Sequence, residues 1–236
     1  MKKQQPVPAV MQPFLDGKVL LIDKPKDWTS FDAIRKIRSL TGVSKVGHAG
    51  TLDPLATGLL IICTGNFTKN ITEYMGMEKE YTGSFTIGAT TPTFDMEGAP
   101  ENITNISAIT EGMVHAATEQ FKGDVMQVPP IFSAVKIDGK RAYKSARKGK
   151  EIEIQPRTIT IKEFEITKIE LPKIYFKVVC STGTYIRSLA NDFGKALGVG
   201  GYLSSLRRTR IGNFLVEDAL SIEAMEEEVR KMHEIK

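Results

Sequence analysis

Apolar residues recur along the chain at two periods, and the switches between them mark out its elements. Val19-Leu20-Leu21-Ile22-Asp23-Lys24-Pro25 is an apolar run closed by proline. Because proline cannot donate to a central ladder, this predicts a buried strand leaving through a turn. Phe31, Ile34, Ile37 and Leu40 stand at helical spacing, with Thr29 or Ser30 able to cap the helix and Gly42 ending it. Residues 59–63 read as a second buried strand, 67–75 as a short helix, and 79–88 as an alternating, β-branched strand. A polar loop over 90–98 follows, then an amphipathic helix marked by Ile109, Met113, Ala116 and Phe121 and stopped by Gly123. Asp138-Gly139 is a hairpin-turn signal, with a helix expected over 141–148. Strands over 151–154, 158–170 and 174–180 lead into a turn at Ser181-Thr182-Gly183 and a helix over 185–197. A basic strand over 203–214 precedes a last helix, capped by Ser221, with Ile222, Met225, Val229 and Met232 on one face. Strands dominate and helices do not alternate regularly with them. The pattern therefore predicts an α+β fold, a mixed and mainly antiparallel sheet with helices packed on it.

One stretch fits neither period. Gly47-His48-Ala49-Gly50-Thr51-Leu52-Asp53-Pro54-Leu55-Ala56-Thr57-Gly58 surrounds a single carboxylate with three glycines, a proline and two threonines. Glycine permits left-handed angles or close approach, and Pro54 holds the residue before it extended. Asp53 is therefore expected on a stiff, irregular loop between two ordered elements, where catalytic groups are commonly held. An ordinary Asp-Pro turn is the alternative. Lys24 ends its strand close in sequence to this loop and is expected to pack beside it.

Charge adds a partner class. The net charge is +4, but residues 217–236 hold seven acids against three bases, which leaves +8 on residues 1–216. That balance suits a polyanion. The most basic segment carries Lys136, Lys140, Arg141, Lys144, Arg147, Lys148 and Lys150 against Asp138 alone, with Tyr143 interleaved. Such a run repels itself unless something anionic is near, which makes 136–150 the first candidate for a nucleic-acid-gripping insertion. Arg207, Arg208 and Arg210 form a second basic stretch.

Other classes are set aside. At 236 residues the chain suits one large domain, and no apolar run approaches the roughly 20 residues that span a bilayer. Residues 1–12 are polar and proline-containing, unlike a secretory signal, and 1–16 are expected to be a flexible tail. Cys63 and Cys180 sit in apolar runs and read as core residues of a reduced, cytoplasmic protein. The three histidines and two cysteines show no metal-ligand spacing, so no metal is expected. There is no Walker-type loop, dinucleotide fingerprint or Ser/His/Asp signature, and Gly198-Val199-Gly200-Gly201 follows a helix instead of opening one.

Five motifs, in order, carry a family resemblance. They are Leu21-Ile22-Asp23-Lys24-Pro25, the 47–58 stretch, Lys79-Glu80-Tyr81, Pro129-Pro130-Ile131-Phe132-Ser133-Ala134-Val135-Lys136 and Gly183-Thr184-Tyr185-Ile186-Arg187. With them the chain closely resembles the TruB family of bacterial tRNA pseudouridine-55 synthases over residues 17–214. The resemblance implies a pseudouridine-synthase fold and isomerisation of uridine in the T-loop of tRNA, without a cofactor. It implies Asp53 as nucleophile, Tyr81 stacked on the target base, Arg187 paired with Asp53, and His48 at the flipped-out nucleotide. Tyr185 and Leu206 match positions lining the uridine pocket, and Lys24 and Asp95 match supporting polar contacts. Residues 127–150 match the family's insertion over the T-loop, and Lys136, Lys140, Arg141, Lys144, Arg147, Lys148, Arg207 and Arg208 are the expected grips on the T-arm.

The resemblance leaves attack at base C6 and at ribose C1′ both open. Where the family usually has threonine-aspartate, this chain reads Thr91-Pro92. Many family members continue into a small RNA-binding (PUA) domain. Here 218–236 reads as an acidic helix, so a catalytic domain over 17–236 without that appendage, acting as a monomer, is expected. The rival expectation is a non-catalytic tRNA-binding or folding module, which has no physical need for Asp53, Tyr81 and Arg187 together.

Overall fold

The apolar run at 59–63 has no polar face to offer water, and the structure buries it on both sides. In the computed structural model, which describes residues 9–131, 133, 136–137, 140–141 and 154–234, this run lies in β3, Thr57–Thr64. One face of β3, Leu60 and Ile62, packs with Ile22, Ala33, Ile34, Ile37 and Val46. The other, Leu59, Ile61 and Cys63, packs with Ala49, Ile211 and Val216. Near-continuous apolar strands are what burial on both faces requires.

The chain forms two compact units: Met1–Lys79 with Arg207–Lys236, and Glu80–Leu206. In the first, β1 (Val19–Lys24) pairs antiparallel with β3, from Val19 opposite Cys63 to Lys24 opposite Gly58. β2 (Val46–His48) also pairs antiparallel with β3, and the end of β10 (Gly201–Ile211) runs parallel to it, Arg208 opposite Gly58. The mixed sheet of the expectation is present. α2 (Ser30–Thr41) and α6 (Ile222–Glu234) pack on one face, and Lys36 pairs with Glu226 between them. Thr29 caps α2 through a reciprocal box: its hydroxyl accepts from Asp32 N–H (3.0 Å), and Asp32 accepts from Thr29 N–H (2.8 Å). Gly42 ends α2 in the left-handed conformation (φ 69°), which costs glycine no Cβ clash.

In the second unit, β4 (Lys79–Ile87), β9 (Lys173–Cys180), β8 (Arg157–Glu170) and β5 (Gly123–Gln127) lie side by side in that order. α4 (Glu111–Glu119) and α5 (Ile186–Ala196) cover them. Phe85 is the hub of an aromatic core, stacked on Phe176 at 4.2 Å and within 6.1 Å of Phe164 and Phe193. Offset and edge-on pairs of this kind add about 0.5–1.5 kcal/mol each beyond the area they bury. β6 (Lys136–Ile137) and β7 (Lys140–Arg141) pair with Ile137 opposite Lys140, the register the Asp138-Gly139 signal predicts. The helix expected over 141–148 lies outside the described residues, and of 151–154 only Ile154 is described.

Three expectations need correction. Residues 9–16 are not a loose tail: a 3-10 turn (Ala9–Met11) and α1 (Gln12–Asp16) bury Met11 and Phe14 in the core of the first unit. Two apolar side chains three apart are too short a pattern to stand out among glutamines and prolines. In α2 the buried face is Ser30, Ala33, Ile34, Ile37 and Thr41, while Phe31 is 56% exposed under the guanidinium of Arg35. In α4 the buried stripe is Val114, Ala117 and Thr118, one residue on from the expected Met113 and Ala116. In both helices an apolar residue beside the buried stripe mimics its periodicity.

Gly58 marks where β3 and β10 meet most closely. It has φ 102°, and a Cβ there would lie 2.3 Å from the Arg208 carbonyl oxygen. Gly58→Ala is expected to lower unfolding free energy by more than about 2 kcal/mol. Gly76→Ala, with nothing within 4 Å of the added carbon, should change it little. Denaturant titrations of both variants check this.

Candidate active site

In the first unit the loop after β2 is pinned on both sides of Asp53. Ala49 extends the β2–β3 ladder by one bond, N–H to Ile61 C=O at 2.9 Å. Leu52 is bracketed by one hydroxyl: its N–H donates to Ser30 Oγ (2.9 Å), and Ser30 donates back to its C=O (3.1 Å). Because Thr29 takes the capping role, Ser30 is left for this task. The Pro54 carbonyl accepts from Asp27 N–H (2.8 Å), and Ala56 N–H closes a turn onto the Asp53 carbonyl (3.1 Å).

Two buried cations brace the same loop. Lys24 is 0% exposed, and its ammonium donates to the carbonyls of Trp28 (2.6 Å), Pro25 (2.9 Å) and Pro54 (3.4 Å). Burial pushes its pKa from 10.5 down to about 8, opposed by the negative charges of Asp53 and Asp27 and reinforced by Arg208. With its three protons donated to backbone, Lys24 braces the loop from beside it. Arg208 is 1% exposed and donates from Nε to Leu59 C=O (2.8 Å) and from Nη2 to Gly50 C=O (3.2 Å), tying the two stems together. The expectation that Arg208 grips RNA is therefore wrong, because a guanidinium sealed inside the strand layer cannot reach a phosphate. Its neighbour Arg207 points the other way. It is 40% exposed and forks onto Asp23 with bonds of 3.0 and 2.7 Å. His48 is half-buried at the end of β2, and burial, aided by Arg208, pushes its pKa down, against a hydrogen bond with the Gly50 backbone.

The second unit holds the other expected residues. Tyr81 is the third residue of β4, 9% exposed, and Leu206 is half-buried on β10. Arg187, in the first turn of α5, lies 3.5 Å from Asp95, and both side chains are 7% exposed. Asp95 also accepts from Thr93 Oγ1 (2.6 Å) and Glu97 N–H (3.0 Å). On the other side of Pro92, the Thr91 hydroxyl donates to the Asp95 carbonyl (2.8 Å). Asp192 pairs with Lys195 (3.7 Å). Tyr185 stands at the N-cap of α5, with Gln127 on its backbone and the guanidinium of Arg157 over its ring at 4.9 Å.

Ser30, Gln127 and Arg157 were not anticipated. A period-two reading of the 203–214 strand could have put Arg207 and Arg208 on opposite faces, but nothing in sequence singles out a bracketing serine. Lys136, Lys140 and Arg141 lie in β6 and β7, and Lys144, Arg147 and Lys148 fall outside the described residues. No helix among the described residues is long and apolar enough to cross a membrane.

Comparison with known proteins gives the class and then the family. Residues 38–186 match the model of the TruB family pseudouridylate synthase N-terminal domain, and residues 187–235 that of the tRNA pseudouridylate synthase B C-terminal domain. The class is thus that of the pseudouridylate synthases. The tRNA pseudouridine synthase B of Flavobacterium johnsoniae is 54% identical over 92% of this chain and 98% of its own. That of Clostridium tetani is 45% identical over 89% of this chain and 73% of its own. Among solved structures, a chain of a Cbf5-Nop10-Gar1 complex superposes with a TM-score of 0.74 at 28% identity, over 97% of this chain. This chain spans 60% of that one. The chain belongs to the TruB family.

The lowered pKa of Lys24 has a measurable sign. Between about pH 8 and 10.5 the unfolded chain keeps a proton on Lys24 that the folded chain has lost. Stability from this group therefore rises with pH across that window, by up to about 1.4 kcal/mol per pH unit, and is flat below it. Denaturant titrations at several pH values should show this slope in the native protein and its loss in Lys24→Met.

Proposed function

We propose that the chain isomerises uridine to pseudouridine at position 55, in the T-loop of tRNA, with Asp53 as nucleophile. Family membership and relatives that carry the name tRNA pseudouridine synthase B support the reaction and the substrate. The observation that carries the role of Asp53 is the pinned loop: the neighbours Leu52 and Pro54 are held by Ser30, Asp27 and Lys24, so the carboxylate is presented on a rigid backbone. Rigid presentation is what a nucleophile must have if binding is to replace the search for a reactive geometry.

The reaction breaks the bond from ribose C1′ to N1, turns the uracil, and joins C1′ to C5. C5 gives up a proton and N1 gains one, so the atoms balance without an oxidant, reductant or cofactor. A transient bond to the Asp53 carboxylate divides this into two easier steps. Arg187, held by Asp95, is the cation of the site, and His48, whose pKa burial lowers, serves as a neutral hydrogen-bonding group. Extruding the base from the loop costs a few kcal/mol. Stacking on Tyr81 offsets about 1–3 kcal/mol of it, and the Tyr81 phenol is the candidate acceptor for the C5 proton. Tyr185 and Leu206 line the uridine pocket. The insertion lysines and arginines with Arg207 hold the T-arm phosphates, as a monomer in the cytoplasm, where Cys63 and Cys180 remain reduced.

A T-arm stem-loop RNA incubated with the native protein is expected to gain pseudouridine, and Asp53→Asn to lower the rate at least about 10³-fold while still binding RNA. Equal conversion by both proteins removes Asp53 from the mechanism. Binding with no conversion by either supports a binding module instead. Affinity for the same RNA should fall steeply as salt rises, by about 0.7–0.9 in log–log slope for each phosphate neutralised.

A further inference from the structure

Tyr185 opens α5 without a side-chain cap of its own. Its backbone is held instead by the edge of the sheet in the same unit. Gln127 ends β5 opposite Arg157, which begins β8. The Gln127 amide, 4% exposed, accepts from Tyr185 N–H at 2.8 Å and donates to Tyr185 C=O at 3.1 Å. These are the two bonds that a facing residue of an antiparallel strand would supply. Arg157 donates to Gly183 C=O (2.5 Å), and its guanidinium lies over the Tyr185 ring, 4.9 Å from the centroid, within cation–π range. Ser188 adds a bond from its hydroxyl to Val128 C=O (2.8 Å), one residue past Gln127. Two residues after Tyr185 comes Arg187, so any shift at the N-cap is passed to both side chains.

We propose that Gln127 and Arg157 are positioning residues for the reaction, setting the ring of Tyr185 and, through the first turn of α5, the guanidinium of Arg187. The inference rests on the proposed function. Gln127 acts as a substitute strand residue on the backbone, and Arg157 fixes the ring from outside. Neither touches the reacting atoms.

Gln127→Glu separates this role from simple support. A neutral carboxyl can accept from Tyr185 N–H and donate to its C=O, as the amide does. An ionised one can only accept, and its charge opposes the carbonyl. Burial raises the pKa of such an acid, bringing its titration toward the assay range.

On T-arm RNA, kcat of Gln127→Glu relative to the native protein is expected near one at about pH 5.5 and to fall roughly 10-fold or more by about pH 8. Gln127→Leu should lower kcat about 10–100-fold at every pH with KM little changed, since phosphate contacts dominate binding. Arg157→Lys keeps the charge but loses the broad guanidinium over the ring and its reach to Gly183, and should lower kcat several-fold at an unchanged melting temperature. This variant also tests the idea if the substitutions at 127 do not fold. A pH-independent ratio for Gln127→Glu, or native kcat in Gln127→Leu and Arg157→Lys, overturns the inference. A native protein that makes no pseudouridine overturns the proposed function, and this inference with it.

Discussion

A carboxylate can be held at a fixed place on a loop only if the backbone on each side of it is held first. In the first unit that work falls to two buried cations and one hydroxyl. Lys24 gathers three carbonyls from two segments of chain, Arg208 ties Gly50 to Leu59, and Ser30 brackets Leu52. Taking an ammonium and a guanidinium out of water is expensive, and charge-assisted bonds to carbonyls are what makes it tolerable. In return, the loop carbonyls of Gly50 and Pro54 gain charged donors. Cation and loop therefore need each other, and the lowered pKa of Lys24 is the trace of that compromise.

The scaffold beneath this arrangement is β3. With Leu60 and Ile62 on one side and Leu59, Ile61 and Cys63 on the other, a slip of one residue would exchange two different cores. That fixes where the strand begins, and so where the loop ends. Gly58 completes the constraint, since only a residue without Cβ lets β10 come close enough for Arg208 to reach Leu59.

The second unit solves a similar problem by other means. Arg187 is buried against one oxygen of Asp95, whose other oxygen is held by Thr93 and Glu97, so the guanidinium faces a fixed partner. The helix that carries it rests on the phenylalanine core through Phe193 and is anchored at its start by Gln127. A polar anchor at one end and an aromatic one in the middle leave α5 little freedom to rotate.

What the amino-acid sequence determined by itself were features in which the signal is local. The capped and glycine-terminated α2, the strands β1, β3, β4, β8 and β9, and the irregular Asp53 loop between β2 and β3 all follow from periodicity, caps and punctuation within a dozen residues. The five motifs likewise placed the chain in its family. Tertiary structure alone decided which apolar stripe of a helix turns inward, as Phe31 and Met113 show, because sequence periodicity gives a face without saying what meets it. It decided that Met11 and Phe14 enter the core, since their docking surface lies on distant segments. It also decided that of two adjacent arginines one remains half-exposed and the other is sealed inside, for the charge of a side chain is written in the sequence but its solvent is not.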